Sequence, residues 1–264
     1  MNTIAPLYMG TSGLVLPVPN KLFFPEEYQD KSRLSYYASL FNSLEVNSSF
    51  YKIPRAATVA RWADSVPDAF RFTFKLWRGI THNKNLQFDP LQVDHFMQVI
   101  GEAGNRKGCL LIQFPASTRA DGLPTLLELI DRVRRNDPAQ QWKLSVEFRH
   151  LSWYSDAIVA ALTRLQATVV THDISPSATP FTDSSPGWAY IRFHGPEKGY
   201  RGSYSDEALR GHASTVQTLL RAGKSVFIYF NNTLGNAIGN LQTLRALIAE
   251  SRQSGDTQAP GVIG

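Results

Sequence analysis

Residues 109–114 read Cys-Leu-Leu-Ile-Gln-Phe, a short run that is almost continuously hydrophobic. Two further runs have the same character, Thr-Val-Val-Thr-His-Asp at 168–173 and Val-Phe-Ile-Tyr-Phe-Asn-Asn at 226–232. Runs of this kind are typical of parallel strands that are buried on both faces. We therefore expect an α/β protein that is built around a parallel sheet.

Outward from these runs, short β-rich segments alternate with longer amphipathic segments. Eight strands are predicted, at residues 7–10, 43–47, 71–76, 109–114, 143–149, 167–173, 188–194 and 225–231. Helices are predicted at residues 26–41, 56–65, 91–103, 123–135, 155–165, 206–222 and 237–251. This alternation predicts a (β/α)₈ TIM barrel. A doubly wound open sheet is the alternative, although no Gly-x-Gly-x-x-Gly turn follows the first strand.

One link departs from the alternation. Residues 174–187, which lie between the sixth and seventh strands, are rich in Pro, Ser and Gly and predict an irregular loop. No internal repeat or second core is visible, so residues 1–250 are interpreted as a single barrel domain. Residues 251–264 are polar and punctuated by Gly and Pro, and we expect a flexible tail there.

Composition narrows the class of protein. The chain has 264 residues, 43% of them hydrophobic, which is ample for a core. Its 27 Lys and Arg exceed its 22 Asp and Glu, and the net charge of +5 suits an anionic ligand better than a histone-like role. The single cysteine, Cys109, excludes an internal disulfide, an all-cysteine zinc site and an iron–sulfur cluster held by this chain. Because no apolar run approaches ~18 residues and no secretory signal is visible, we expect a soluble cytoplasmic protein without a membrane partner.

Polar side chains concentrate at the ends of the predicted strands. In TIM barrels the loops after the strand C-termini converge over one mouth, where active sites lie. The strand-end residues that can hydrogen-bond or ionise are Glu45, Asn47, Lys75, Gln113, Glu147, Arg149, His150, His172, Asp173, Arg192, His194, Asn231 and Asn232. A structural barrel needs only turn-forming residues at these positions, so the concentration indicates a functional site.

The charges at this mouth admit two interpretations. Lys75, Arg149 and Arg192 face three carboxylates and could simply form ion pairs with them. Alternatively, the three cations form a socket for phosphate or carboxylate, with arginine supplying a bidentate fork. The sequence leaves both interpretations open.

A divalent metal ion is a further open alternative for the cofactor, which the sequence does not identify. Histidines at or beyond the strand ends, together with the carboxylates, are suitable ligands, yet no local His-Glu-x-x-His signature is present. Without a metal, the same histidines would act as general acids or bases, or orient a substrate. Covalent nucleophilic catalysis has no support, because Cys109 begins a buried strand and no Gly-x-Ser-x-Gly elbow occurs.

Several motifs resemble those of the DUF72 (YecE-like) family. They are Gly10-Thr-Ser-Gly13, Phe23-Phe-Pro25, Leu44-Glu-Val-Asn47, Ser49-Phe-Tyr51, Phe74-Lys75, Ile80-Thr-His82, Gln113-Phe-Pro115, Val146-Glu-Phe-Arg-His150, Arg192-Phe-His-Gly195 and Tyr229-Phe-Asn-Asn232. The resemblance runs in order over nearly the whole chain and implies a TIM-barrel-like fold, without an established activity. It also implies a site made of Glu45, Asn47, Lys75, His82, Gln113, Glu147, Arg149, His150, Asp173, Arg192, His194, Asn231 and Asn232. Leu14-Val-Leu-Pro17 stands where the family usually continues with aromatic residues, so ligand preference is expected to differ.

Three functions follow as hypotheses. The leading one is an enzyme that hydrolyses a phosphoester or another small anionic substrate, with Glu45, Glu147, Asp173 and His194 as catalytic groups. In this hydrolase, Glu147 or Asp173 would act as the base or as a metal ligand, and His194 would act as the acid. The other site residues would bind the substrate. The second is a nucleic-acid binder or a metal-dependent endonuclease-like barrel. The third is a non-catalytic protein whose mouth binds a small ligand. The sequence does not predict the oligomeric state.

Overall fold

A computed structural model describes residues 5–180, 183 and 187–256 of the chain, with side chains up to residue 250. This part of the chain contains nine parallel strands. They are β1 (Leu7–Thr11), β2 (Ser43–Val46), β3 (Arg71–Lys75), β4 (Lys107–Gln113), β5 (Lys143–Glu147), β6 (Ala167–Val169), β7 (Thr171–His172), β8 (Trp188–Phe193) and β9 (Ser225–Phe230). β6 and β7 are separated by one residue, Val170, and together correspond to the sixth predicted strand.

The strands close into a barrel. One sheet has the order β1-β9-β8-β7 and the other β2-β3-β4-β5-β6. A parallel bridge between Ser12 and Glu45 joins β1 to β2, and the short break at Val170 joins the two sheets on the other side. A Cβ at Gly10 would lie 1.9 Å from the carbonyl oxygen of Ser43, so only glycine permits this approach of β1 to β2. The predicted (β/α)₈ fold is confirmed.

Helices surround the strands. They are α1 (Arg33–Leu40), α2 (Ser48–Tyr51), α3 (Ala56–Asp64), α4 (Arg78–Thr81), α5 (Pro90–Gly101), α6 (Leu123–Asn136), α7 (Asp156–Arg164), α8 (Asp206–Arg221) and α9 (Ala237–Asp256). The short helices α2 and α4, which follow β2 and β3, were not predicted, because four residues are too few to show a helical period. None of the helices in the described residues is long and apolar enough to cross a membrane.

Two predicted helix boundaries are wrong. Only the second half of the predicted helix at 26–41 is an α-helix, because the side chain of Ser32 accepts a hydrogen bond from the backbone N–H of Ser35 (3.0 Å) and starts α1 there. At the other end of the chain, α9 continues past the predicted end at residue 251 to Asp256. Part of the predicted tail is therefore helical, and residues 257–264 lie outside the described residues. In the link between β7 and β8, residues 174–180 contain no helix, and residues 181–182 and 184–186 also lie outside the described residues.

Side chains alternate between the barrel interior and the helical layer, as strand geometry requires. The hydroxyl of Tyr229 hydrogen-bonds to the hydroxyls of Ser43 (2.6 Å) and Thr73 (2.7 Å), which places all three in the interior. Toward the N-terminal ends of the strands, the interior is filled by an apolar cluster that includes Tyr8, Cys109, Trp188, Tyr190 and Phe227. Two residues beyond the Ser43–Thr73 level, the same interior face carries Glu45 and Lys75. Because side chains along a strand alternate with a period of two, these charged residues lie on the interior face at the C-terminal mouth.

Candidate functional site

The site is built around Arg192, which lies on β8 with 1% of its surface exposed. Its Nη1 donates a hydrogen bond to Oε2 of Glu147 (2.6 Å), and its Nη2 donates to Oε1 of Glu45 (2.7 Å). Burial alone would lower the pKa of Arg192, but the two carboxylates outweigh it and raise this pKa above its usual value. The guanidinium therefore stays charged and links three strands, β2, β5 and β8.

Glu45 has no access to solvent. Besides Arg192, it accepts hydrogen bonds from the hydroxyls of Ser12 and Tyr190. Ser12 also accepts a bond from Nη2 of Arg192 (3.0 Å) and one from Nδ2 of Asn47 (2.8 Å). Buried and bonded at both oxygens, Glu45 holds Arg192 in place, and its predicted catalytic role stays a prediction.

Glu147 is equally buried but connects the interior to the mouth. Its Oε1 accepts a hydrogen bond from Nε of Arg149 (2.5 Å), and it also forms an ion pair with Nη2 of that residue. Burial would raise the pKa of Glu147, but Arg149 and Arg192 hold this pKa well below its usual range. Glu147 is therefore ionised at neutral pH. The side chain of Arg149 is 13% exposed, so this guanidinium is the part of the ion-pair network that faces the mouth.

His194 and Asp173 form a second group at the mouth. Oδ1 of Asp173 lies 3.2 Å from Nδ1 of His194 and accepts the backbone N–H of the same residue (2.9 Å). The hydroxyl of Tyr204 donates to the other carboxylate oxygen and accepts the N–H of Gly195 (2.6 Å). We assign the proton of the neutral imidazole to Nδ1, because that atom faces the carboxylate. Nε2 is then an acceptor, 3.2 Å from Nη2 of Arg149 and 3.2 Å from Nη1 of Arg192.

The protonation state of His194 and Asp173 affects the acid role predicted for His194. Burial lowers the pKa of His194 to about 4, despite its hydrogen bond to Asp173. Burial would raise the pKa of Asp173, but its bonds to His194 and Tyr204 hold it below its usual value. At neutral pH the pair is thus a carboxylate and a neutral imidazole. This neutral imidazole has no proton on Nε2 to donate, so at neutral pH His194 is ready to accept a proton, and its predicted role as the acid stays a prediction.

The β3 side of the mouth has a different character. Lys75 is half-buried, and its Nζ lies 4.1 Å from the centroid of the Phe50 ring. The ring of His82 packs against the same phenyl group, with 4.9 Å between centroids, and its Nδ1 lies 2.8 Å from the hydroxyl of Thr81. Lys75 forms no ion pair with any carboxylate in the described residues.

Two pKa values on this side are lowered. Burial and the nearby charge of Arg192 lower the pKa of Lys75 to about 8. Burial, together with Lys75 and Arg78, lowers the pKa of His82 to about 4. At neutral pH this side of the mouth therefore carries one ammonium group beside a neutral imidazole. A cation of this kind attracts anions and is also readily deprotonated.

Two buried polar atoms near the centre of the site have no hydrogen-bond partner, Nε of Arg192 and Oδ1 of Asn47. Leaving such atoms unpaired is costly, and they are accordingly uncommon in native structures. These atoms are positions that a bound ligand or a water molecule would satisfy.

Some predicted site residues hydrogen-bond to the protein framework, and their predicted roles in binding stay predictions. Gln113 donates its side-chain amide to the carbonyl of Phe114 (2.6 Å). His150 caps the turn at Leu151–Trp153, because its Nδ1 accepts the N–H of Ser152 (3.1 Å). Asn232 is buried and donates to Oδ1 of Asn240 (3.0 Å) and to the carbonyl of Gly202 (3.1 Å), which ties the loop after β8 to α9.

Asn231 lies beside this framework at the end of β9. It is half-buried, and its backbone N–H donates to the carbonyl of Phe193 (2.7 Å). Its placement in the substrate-binding set stays a prediction.

Three residues of the network were missed as site residues. Ser12 follows β1 within Gly10-Thr-Ser-Gly13, and Tyr190 precedes Arg192 by two positions, so alternation along the strand could have indicated both. Tyr204 gave no local signal for its bond to Asp173, since it comes from a loop 31 residues away. Its role depends on the folded path of that loop.

For the metal alternative, the described residues contain no group of three or more His, Cys, Asp or Glu side chains placed to hold an ion. The carboxylates of Glu45 and Glu147 face guanidinium groups instead.

Comparison with known proteins places the chain in a family. The model of a family described as "Protein of unknown function DUF72" matches residues 8–262. This chain belongs to the DUF72 family. The resemblance seen in the sequence motifs is thereby confirmed.

Relatives of this DUF72 chain include two proteins of known sequence. It is 30% identical over 122 residues to the UPF0759 protein YecE of Escherichia coli K12, a match that covers 46% of this chain and 43% of YecE. The match thus spans less than half of the length of that relative. The UPF0759 protein YunF of Bacillus subtilis is 23% identical over 255 residues, with 80% of this chain and 84% of YunF covered.

Two solved structures share the fold. A DUF72 family protein from Enterococcus faecalis V583 has a TM-score of 0.74 at 19% identity, covering 92% of this chain and 95% of that one. A DUF72 family protein from Thermotoga maritima has a TM-score of 0.70 at 25% identity, covering 92% and 99%. The barrel is therefore the fold of the family as well as of this DUF72 chain.

Proposed function

We propose that the protein is an enzyme that binds a small anionic, phosphorylated substrate at the C-terminal mouth of the barrel and hydrolyses it. The observation that carries this proposal is the ammonium group of Lys75, which is half-buried and forms no ion pair in the described residues. A desolvated cation without a partner is unfavourable in the free protein, and an anionic ligand would supply the missing charge.

Arg149 is the second group proposed to bind the anion. Its guanidinium is partly exposed, and its bonds to Glu147 and His194 leave it at the rim of the mouth rather than in the interior. An arginine fork suits the geometry of a phosphate group, and the end of a barrel is the usual place for such a site. Arg192 lies deeper and would stabilise charge without leaving its carboxylates.

The proposed reaction uses His194 as the base. Asp173 holds the proton on Nδ1, so Nε2 can accept a proton from a water molecule once the phosphate takes over the N–H groups of Arg149 and Arg192 that lie 3.2 Å from Nε2. The hydroxide then attacks phosphorus, the ester P–O bond breaks, and the departing alkoxide takes the proton back from Nε2. Lys75 and Arg149 offset the negative charge that develops on the phosphoryl oxygens.

A phosphoester screen tests the reaction. The wild type is incubated with a panel of small phosphate monoesters, and released phosphate is measured beside His194→Gln and His95→Gln. We expect turnover by the wild type, a loss of about 100-fold or more in His194→Gln, and no change in His95→Gln, whose histidine is exposed on α5. Phosphate binding without turnover of any ester would instead support the non-catalytic ligand-binding alternative.

Exposed aromatic rings at the mouth favour a second candidate, binding of single-stranded nucleic acid. Tyr51 is 68% exposed after β2, and Tyr200 is 42% exposed after β8, with its ring 5.8 Å from that of His194. Bases could stack on such rings while the cations contact phosphates. The test is oligonucleotide affinity against salt concentration, because each phosphate contact contributes about −0.7 to the logarithmic slope. A flat salt dependence would contradict this candidate.

Elemental analysis tests whether either of these functions depends on a bound metal ion. The protein is purified without chelator or metal-affinity resin and compared with a variant in which Glu147, Asp173 and His194 are replaced by Ala. A stoichiometric metal that is lost in this variant would favour metal-assisted hydrolysis over the base mechanism above.

A further inference from the structure

Lys75 has a fixed position at the mouth. Its backbone carbonyl accepts a hydrogen bond from the hydroxyl of Ser49 (2.7 Å), and the next residue, Leu76, donates its N–H to Leu111 on β4 (2.9 Å). On the strand it lies two residues after Thr73, whose hydroxyl bonds to Tyr229 inside the barrel. The amine is thus held on the interior face, at the level where the barrel opens.

The charges that act on this amine are of both signs, and none of the carboxylates forms an ion pair with it in the described residues. Burial has the largest effect on its protonation, Arg192 and Arg149 disfavour the ammonium form, and Glu147 and Glu45 favour it from within their own ion pairs. The neighbouring His82 is neutral at pH 7, and Arg78 on α4 adds a further cation close to it. The pKa of about 8 leaves a substantial fraction of neutral amine near physiological pH.

A second lysine offers a matched comparison. Lys143 begins β5 at the opposite end of the barrel, is also half-buried, and lies over the ring of Trp188 at 5.6 Å. Arg192 and Arg149 lie at the other end of the barrel from it. The two lysines therefore share burial and an aromatic contact, and they differ in the guanidinium groups nearby.

Although the sequence motifs indicate no covalent nucleophile, we propose that Lys75 is a nucleophilic amine that forms an imine with the carbonyl group of an aldehyde or ketone. Partial burial beside other cations, with no carboxylate paired to it, is the environment that activates lysine for this chemistry. The inference rests on the proposed function for one feature, the phosphate that Arg149 would bind. The substrate class is then a small phosphorylated aldehyde or ketone.

The step needs no further co-reactant. The lone pair of the neutral Nζ attacks the carbonyl carbon, so that a C–N bond forms as the C=O π bond breaks, and one N–H proton moves to the oxygen to give a carbinolamine. The C–O bond then breaks, and the hydroxyl group leaves as water with the second N–H proton, which gives the C=N bond of the imine. Addition of water to the imine reverses the sequence and releases the carbonyl compound.

Reductive trapping tests the proposal. The wild type is incubated at pH 7.5 with glycolaldehyde or glycolaldehyde phosphate and sodium cyanoborohydride, and the labelled lysines are identified by peptide mass spectrometry. We expect Lys75 to be labelled about tenfold or more faster than Lys143, with a pH profile whose midpoint lies near 8. Labelling of Lys75 no faster than that of Lys143 or of the surface lysines would overturn the proposal.

Variants separate this inference from the proposed function. Lys75→Arg keeps the charge but lacks the nucleophile, so we expect it to bind inorganic phosphate in calorimetry and to lose the fast label. Arg149→Met removes one of the charges that lower the pKa of Lys75, so we expect slower labelling by glycolaldehyde that still exceeds the labelling of Lys143, and loss of the advantage of the phosphorylated probe. Fast labelling of Lys75 without phosphate binding would support the imine and contradict the anion site. Phosphate binding without fast labelling of Lys75 would support the anion site and contradict the imine.

Discussion

Positively charged side chains on the two sides of the barrel mouth lie in opposite environments. On the β8 side, Arg192 is buried and bonded to two buried carboxylates, Glu45 and Glu147. On the β3 side, Lys75 is half-buried against a phenyl ring and has no ion pair in the described residues. The pKa values follow this difference, since that of Arg192 is raised and that of Lys75 is lowered.

This difference separates framework from function. A buried, fully paired charge has satisfied its electrostatic requirement within the fold, so its removal leaves other charges unpaired. A charge that has no ion pair within the fold can be removed at little cost to the free energy of unfolding. A ligand that pairs with this charge would, however, bind more weakly after its removal. The buried pairs of Arg192 are therefore interpreted as the platform, and the unpaired Lys75, with Arg149 and His194 at the rim, as the place where a ligand is recognised.

The largest expected effect tests the platform. Arg192→Met leaves two buried carboxylates facing each other, and we expect the free energy of unfolding to fall by about 3–5 kcal/mol. Urea denaturation followed by circular dichroism measures it. A loss below about 1 kcal/mol, within the range of exposed ion pairs, would break the distinction between the two sides.

An intermediate effect is expected at the rim. Arg149→Met removes one partner of the buried Glu147 but leaves the bond from Arg192, so we expect a loss of about 2 kcal/mol, smaller than that of Arg192→Met. The same urea titration compares it with Arg192→Met. A loss as large as that of Arg192→Met would move Arg149 from the binding side into the platform.

The pH dependence of stability sharpens the comparison further. Folding lowers the pKa of Lys75 from 10.5 to about 8, so between these values the unfolded chain binds more protons than the folded one. The stability of the wild type should therefore rise with pH through this window, relative to Lys75→Met. Thermal unfolding of both proteins at pH 7, 8, 9 and 10 measures the difference. A constant difference from pH 7 to pH 10 would show that the lysine is not perturbed.

Much of this arrangement was predictable from local sequence. Hydrophobic runs that end in polar residues indicate parallel strands, and the shared direction of those strands brings Glu45, Lys75, Glu147 and Arg192 to one mouth. Alternation along each strand also puts these residues on the interior face. The fold and the assembly of the charged cluster both follow from these two rules.

The pairing within the cluster was not predictable in the same way. Whether Arg192 or Lys75 forms ion pairs with the carboxylates depends on how far each long side chain reaches across the barrel. The spacing of residues along the chain does not predict that distance. His150 is predicted as a site residue because it lies at a strand end within the motif Val146-Glu-Phe-Arg-His150. In the structure it caps the next turn, because a strand-end residue can equally serve the backbone of its own loop. Tyr204 reaches Asp173 only through the folded path of its loop.

Phosphate titration of Lys75→Met tests the central claim most directly. Inorganic phosphate is titrated calorimetrically into wild type, Lys75→Met and Lys143→Met, and urea denaturation is measured on the same preparations. The account predicts that Lys75→Met loses about tenfold or more in affinity while its stability stays within about 0.5 kcal/mol of wild type or rises. Lys143→Met should keep its affinity. Unchanged phosphate affinity in Lys75→Met, or a loss of stability as large as that of Arg192→Met, would contradict the account.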